Sequence, residues 1–445
     1  MSGWNLRTGA VVAALSLATM TLATGTASAE AVVYYVDSIN GNDSATGKTP
    51  ETAWKTLTKA SAAGLDAGSK VLLRRGSTWQ GQQLEITESG NANAPIVVDA
   101  YGTGTARPIV TGDDEACVSL GGSYIEVYNI QVGLAQDGKR CTWAGIKVDG
   151  DHNVIERNYI TGAAAGVYIS PEVSYTAVTA NDFIDNNYMS KNTEEPTNDD
   201  SGAFAILVQG DDSNIGWNEI RGSYALSHDY GMDGAAVEIF LGSRNRIHHN
   251  IAVDNETFTE LGTSKETKPD GTPSDPDGTS GNIFEYNVIT GPETQGGLVT
   301  RGVQEPGNPP DPNGPVLGTV FRNNTVRLTH PSSQGVVCDA GCTNAHLSMS
   351  QNIIQVVAKT AYGPGVTDSH HNVFYGAAQH QMGGTNNIEA DPLFDLTNTA
   401  HPLKLRAGSP AIDLGVAQYS DDDVTGRAID GSDGPVDAGA YEYDK

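Results

Sequence analysis

Glu238 and Glu260 each interrupt a short alternation of apolar residues, Ala236-Val237-Glu238-Ile239 and Phe258-Thr259-Glu260-Leu261. Strand-like alternation sends the Val, Ile and Leu positions to one face and both glutamates to the other. If the two segments stack, two carboxyl groups meet on neighbouring rungs about 4.8 Å apart. Like charges that close repel unless a proton or a cation lies between them. Such a pair therefore points either to acid/base work, with one carboxyl held protonated, or to a hard cation such as Ca²⁺. The simpler alternative is that both side chains splay into water.

Other residues gather near the pair in sequence. Asp233 lies just upstream in Met232-Asp233-Gly234, and Asp200 lies in Asp199-Asp200-Ser201-Gly202, nearly equivalent positions before successive strands. His228 and Tyr230 sit on the loop before Asp233, and Tyr168, Tyr224 and Tyr230 are candidate platforms for a sugar ring. Aligned on their inward residues, the strands place Lys147, Tyr168, Ala205, Glu238, Glu260 and Val299 in one outward column. Lys147 and Arg301 complete the candidate binding set.

The elements that must position these groups come from a repeat. An apolar alternation ending in Asn recurs at Asn129, Asn158, Asn218, Asn250, Asn287, Asn324 and Asn352, with weaker copies at Asn181 and Asn372. The intervals run from 20 residues (Asn352 to Asn372) to 37 (Asn181 to Asn218). A constant motif at variable spacing is what a solenoid shows when loops of different length join fixed strands. Asn suits a sharp corner because it tolerates left-handed backbone and its amide can bond to the coils above and below. Hairpin signals between adjacent strands are scarce, which argues against an antiparallel sandwich.

With Tyr34-Tyr35-Val36-Asp37 before the coils and Asp437-Ala438-Gly439-Ala440-Tyr441 after them, the chain resembles the pectate-lyase-like superfamily of secreted right-handed parallel β-helix proteins. The resemblance covers nearly the whole mature chain and implies an all-β solenoid. It implies no single reaction, because one fold hosts many chemistries. The expected organisation is a signal peptide over residues 1–29, an N-terminal cap and first strand over 30–80, coils over 81–385 and a closing segment over 386–445. Within the cap, a short helix is expected from Ala53 to Leu65 and the first strand at Lys70–Arg74, while the Asp37–Asp43 loop lacks EF-hand spacing and reads as a turn. The closing segment is expected to shield the last coil.

Arg7, the apolar run from Ala10 to Ala23 and Ala27-Ser28-Ala29 have the form of a secretory leader, so the mature protein is expected outside the cell. The chain carries 26 Lys and Arg against 54 Asp and Glu, a formal charge of -28. That balance argues against nucleic acid and anionic membranes as partners. Cys117, Cys141, Cys338 and Cys342 are an even set for an oxidising compartment, and local pairing is the simplest connectivity.

The expected activity is cleavage of a polysaccharide by a monomeric enzyme. Glycoside hydrolysis would use Glu238, Glu260 and Asp233 and needs no cofactor. A lyase would have to neutralise a uronate, and with basic residues sparse near the pair it would lean on Ca²⁺ held by the same three carboxylates. A noncatalytic sugar-binding β-helix is the third reading.

Overall fold

The computed structural model describes residues 31–112, 115–134, 140–194, 196, 197, 199–263, 278–303, 313–376, 380–398, 401, 403–429 and 434–444. The expected leader and residues 264–277 and 304–312 lie outside these residues. Each turn of chain contributes one strand to each of three sheets of 12, 12 and 11 strands, so sequence neighbours within a sheet are one coil apart. Pairing between coils is parallel throughout, as in Val154–Glu156 against Ala177–Thr179 and Ala235–Phe240 against Thr257–Gly262. The result is a right-handed parallel β-helix. Among the described residues no helix is long and apolar enough to cross a membrane.

Period-two alternation builds the interior. Ile155, Val178, Ile215, Ile247, Phe284, Phe321 and Met349 occupy one register column of the first sheet and are fully buried. A second stack, Ile160, Phe183, Ile220, Ala252, Ile289 and Val326, does the same in the second sheet. A solenoid assembled this way needs no single globular core, since each coil buries its apolar face on the next.

The asparagines form a continuous ladder between the first two sheets. The backbone N–H and the amide Nδ2 of Asn158 both donate to Oδ1 of Asn181, and the pattern repeats through Asn218, Asn250, Asn287, Asn324, Asn352, Asn372 and Asn387. The left-handed residue at this corner is the one before the ladder Asn: Arg157, Ala180, Trp217, His249, Tyr286, Asn323, Gln351 and His371 all have φ between 50° and 61°. The amide's hydrogen bonds therefore select Asn here, and the tolerance for left-handed backbone does not. Asn129 shows the difference, because it takes the left-handed position (φ 57°) and leaves Ile130 to donate to Asn158.

Asn287 is bonded to Asn250, Asn324 and the carbonyl of Ile247, wholly buried. Asn287→Ala strands these partners in the interior and is expected to cost about 3 kcal/mol. A urea titration should show the lower midpoint, and an unchanged midpoint would mean the ladder is ornamental.

The N-terminal region joins the solenoid directly. Val33–Val36 pairs in parallel with Lys70–Arg74, so Lys70–Arg74 is the second strand of its sheet and not the first as expected. The helix is shorter than expected, Leu57–Ser61, with Thr56 accepting from the Lys59 N–H at its start and Leu57 and Ala60 buried. Asp37 accepts from the N–H groups of Ile39 and Asn40, which makes its loop a turn. At the other end, Phe394, Leu405, Val424, Ala438 and Tyr441 pack on Val288, Ile353 and Val373 of the second sheet. The closing segment thus runs along the flank of several coils. Gly439 (φ 96°) permits the approach, since a Cβ there would meet Thr325 and Ile353 at 2.7 Å. Disulfides join Cys117 to Cys141 and Cys338 to Cys342, the local pairing expected.

Candidate active site

The third sheet has the longest strands, five or six residues in most coils, and its outer face carries the site. Register places Lys147, Tyr168, Leu207, Glu238, Glu260 and Val299 in one outward column. Leu207 stands where Ala205 was expected, and Ala205 instead lies in the interior beside Ile206, because the alternation is broken between Phe204 and Ile206. Glu238 and Glu260 are direct partners on adjacent rungs, as the alternation predicts.

A second column lies beside the first: Ala144, Ala165, Phe204, Ala235, Thr257 and Gly296. Small residues at Ala235, Thr257 and Gly296 leave a hollow next to the two glutamates. Two antiparallel hairpins, Met189–Lys191 with Ser201–Gly202 and Ala225–Ser227 with Gly231–Asp233, lead into these strands and wall the hollow on one side. The resulting cleft is about 900 Å³ and runs across the coils from Trp143 to Gln334.

Four carboxyl groups meet in it: Asp233, Glu238, Glu256 and Glu260. Enclosure raises the Glu238 carboxyl well above its ordinary value, and the charges of Glu260 and Asp233 push it further while Arg301 opposes them. Glu238 is half-buried in the cleft lining. Asp233 rises to about 6, chiefly by burial, with a hydrogen bond from the Gly234 N–H working against the charges of Glu260, Asp200 and Asp229. Burial lifts Glu256 to about 7 against a hydrogen bond from the Thr257 hydroxyl, with Asp233 and Glu260 adding to the rise. Glu260 is set apart by an ion pair with Arg301, whose side chain is only 12% exposed. One cleft therefore holds carboxyls biased toward the acid form beside a carboxylate with its own counter-ion.

The remaining expected residues divide. Tyr230 and Arg301 line the cleft. Asp200 lines it too, but its carboxylate is occupied: it accepts from the Ser227 hydroxyl and from the N–H groups of Asp229 and Thr193, tying the two hairpins together. Although burial works to raise the Asp200 carboxyl, these bonds hold it below the usual range. Asp200 and Asp233 are not equivalent in register, because Phe204 pairs with Ala235 and the position matching Asp233 is Gly202. Lys147 is ion-paired to Asp149 at 3.2 Å, outside the cleft lining. Tyr168 stands behind Trp143 and donates to Gln209 at 2.7 Å, and the exposed His228 and Tyr224 also lie off the lining.

Glu256 and Trp143 are among the lining residues that the alternation did not reveal. Each sits one residue before its strand's paired column, Glu256 before Thr257 and Trp143 before Ala144. Their shared place is visible only once the coils are in register. As for a cation, the described carboxylate oxygens that lie within 4.8 Å of one another belong to Asp199, Asp200 and Asp229. Those residues sit in the hairpin wall.

Comparison with known proteins agrees with this geometry at the level of fold. Three solved structures superpose over most of the chain. A GH136 lacto-N-biosidase from Eubacterium ramulus gives a TM-score of 0.51 at 16% identity, covering 81% of this chain and 67% of that one. Pectate lyase Pel9A gives 0.50 at 16% identity, with 93% and 96% covered. The third, XylC in complex with xylose, gives 0.51 at 10% identity, with 93% and 99% covered. The fold is that of the pectate-lyase-like β-helix proteins. By sequence, a lacto-N-biosidase from Bifidobacterium longum subsp. longum is 30% identical over 149 residues, which is 33% of this chain. That match spans 9% of the length of the Bifidobacterium protein. No family model matches the chain.

Proposed function

We propose that the protein is a secreted carbohydrate-active enzyme that hydrolyses a glycosidic bond in the third-sheet cleft. Glu238 is the general acid: it gives its proton to the leaving oxygen as the C–O bond breaks. Glu260 is the carboxylate opposite, either attacking the anomeric carbon or activating the water that does. The water's hydroxyl ends on the anomeric carbon. If Glu260 has attacked, Glu238 takes the water's proton back and Glu260 is released as the carboxylate. If Glu260 has activated the water it takes that proton, the two carboxyls returning to their starting forms by proton exchange with solvent. Asp233 and Glu256 keep Glu238 protonated through their charge and, in the acid form, donate to sugar hydroxyls.

The observation that carries this reading is the charge balance of the lining. Among the described lining residues, Asp200, Asp233, Glu238, Glu256 and Glu260 stand against one guanidinium, Arg301, which is itself engaged by Glu260. The one cation of that lining is thus already engaged and leaves nothing to neutralise a uronate, a need that a neutral glycan does not have. The likeness to two lacto-N-biosidases, glycosidases by name, adds support. Export is supported by the leader-like residues 7–29 and by two disulfides.

The test is a screen of neutral and uronate polysaccharides, with and without chelator, for new reducing ends and for unsaturated products absorbing in the ultraviolet. Hydrolysis gives reducing ends from a neutral glycan, no ultraviolet product and no chelator effect. An unsaturated product from a uronate, lost on chelation, would replace hydrolysis with calcium-dependent elimination.

A further inference from the structure

From the rung next to Glu238, where Leu207 is its register partner, the same cleft continues as an apolar wall. Trp143, Phe204 and Leu207 line it, and with Tyr168, Ala165 and Ala235 they form a cluster separate from the interior of the helix. These residues lie on the outer face of the sheet, where the coils do not need them for stacking. Phe204 and Leu207 are 8% and 6% exposed, pressed into the wall, while Trp143 is half-buried and presents surface to the cleft.

Trp143 is held in place. Tyr168 meets its ring edge-on at 5.5 Å and 68°, and the Tyr168 hydroxyl is itself fixed by Gln209 at 2.7 Å. A backbone bond from the Trp143 N–H to Glu115 O anchors the residue at the strand entrance, and its own carbonyl receives the Ala165 N–H. An indole locked in this way presents a flat apolar face at little entropic cost.

Resting on the glycan-cleft reading above, we propose that Trp143, backed by Phe204, is a sugar-stacking subsite that makes the protein select neutral oligosaccharides extending well past the scissile bond on one side. Ala144, beside Trp143, is three rungs from Ala235 through Ala165 and Phe204. That separates the platform from the rung of Glu238 by about 14 Å along the helix. Further rings of the chain span the interval, crossing the small residues Ala165 and Ala235. The apolar face of a pyranose covers the indole, and its ring hydroxyls reach outward to water and to Gln209. A carboxylated ring gains nothing there, since no described basic side chain lines that end.

The experiment uses the full-length Glu238→Gln protein, which suppresses turnover, on an array of neutral and uronate oligosaccharides of graded length. Binding to neutral members should appear only above a threshold length. Adding Trp143→Ala should weaken that binding about tenfold or more, while Trp143→Phe, which keeps a ring, retains most of it. Binding of short members as tight as long ones, binding indifferent to Trp143→Ala, or no binding to any neutral member overturns the subsite. The two readings separate in the single variants. Trp143-dependent binding without release of reducing ends by the wild type leaves the subsite standing and removes hydrolysis. Turnover with KM unchanged in Trp143→Ala does the reverse.

Discussion

Glu238→Gln is expected to lower turnover by about 10²–10⁴-fold while the protein folds and binds glycan as before. The amide matches the carboxylic acid in size and can donate a hydrogen bond, but it has no proton to give to a leaving oxygen. Because enclosure and the charges of Glu260 and Asp233 favour the neutral form of Glu238, an uncharged amide there brings in little new desolvation cost. Its thermal midpoint should stay at or above that of the wild type. Single-turnover kinetics on a neutral glycan identified by the screen separate the effects. A fall in kcat with binding intact is the expected result, and a fall in binding with kcat intact would make Glu238 a ligand-positioning group.

The second large effect is on pH. With Glu238 needed in its acid form and Asp233 and Glu256 at about 6 and about 7, activity should decline on the alkaline side, approaching about tenfold per pH unit once the cluster ionises. Asp233→Asn removes one of the negative neighbours that keep Glu238 protonated, so the alkaline limb should move to lower pH. Stability moves the other way. A carboxyl raised on folding favours the folded state fully only below its unfolded value, and that advantage is lost as pH rises through the folded value. For Asp233 the rise from 3.8 to about 6 means a loss of about 3 kcal/mol of stability relative to low pH, absent at pH 3 and complete above pH 7. Asp233→Asn should therefore be more stable than the wild type at pH 8 and equal to it near pH 3. Activity profiles and urea titrations at the two pH values measure both. A limb and a midpoint that ignore the substitution would show that Asp233 does not share the field of Glu238.

How much of this was legible beforehand follows from what a local pattern can encode. Alternation and recurrent Asn specify strands, corners and the stacking of coils, because each is fixed by contacts between residues close in sequence or one repeat away. Glu238 and Glu260 were therefore legible as partners: each lies one residue before a buried aliphatic in its own strand, Ile239 and Leu261. Leu207 was misplaced because Ala203-Phe204-Ala205-Ile206-Leu207-Val208 is apolar throughout, and a run with no polar member does not announce its own register. The left-handed corner was assigned to Asn when it falls one residue earlier, since composition marks the amide ladder but not the backbone angle beside it.

Side chains outside the alternation were the hardest to place. Glu256 and Trp143 sit where strands begin, so neither period nor motif marks them, and only the parallel register brings them to one cleft. Asp200 looked like a binding carboxylate, but whether an acid is spent on tying two hairpins together depends on loops that a linear pattern does not fold. Lys147 was read correctly as outward in the column, and its ion pair with Asp149, two residues on, keeps it from the cleft.

Isotope transfer from solvent tests the central claim most directly. A neutral glycan incubated with the wild type in H₂¹⁸O, and read by mass spectrometry before the anomeric oxygen exchanges, should carry one solvent oxygen at each new reducing end, and Glu238→Gln should suppress that signal. Products without solvent oxygen, or labelled ends that form as fast with Glu238→Gln, would contradict hydrolysis by the carboxyl pair of the third sheet.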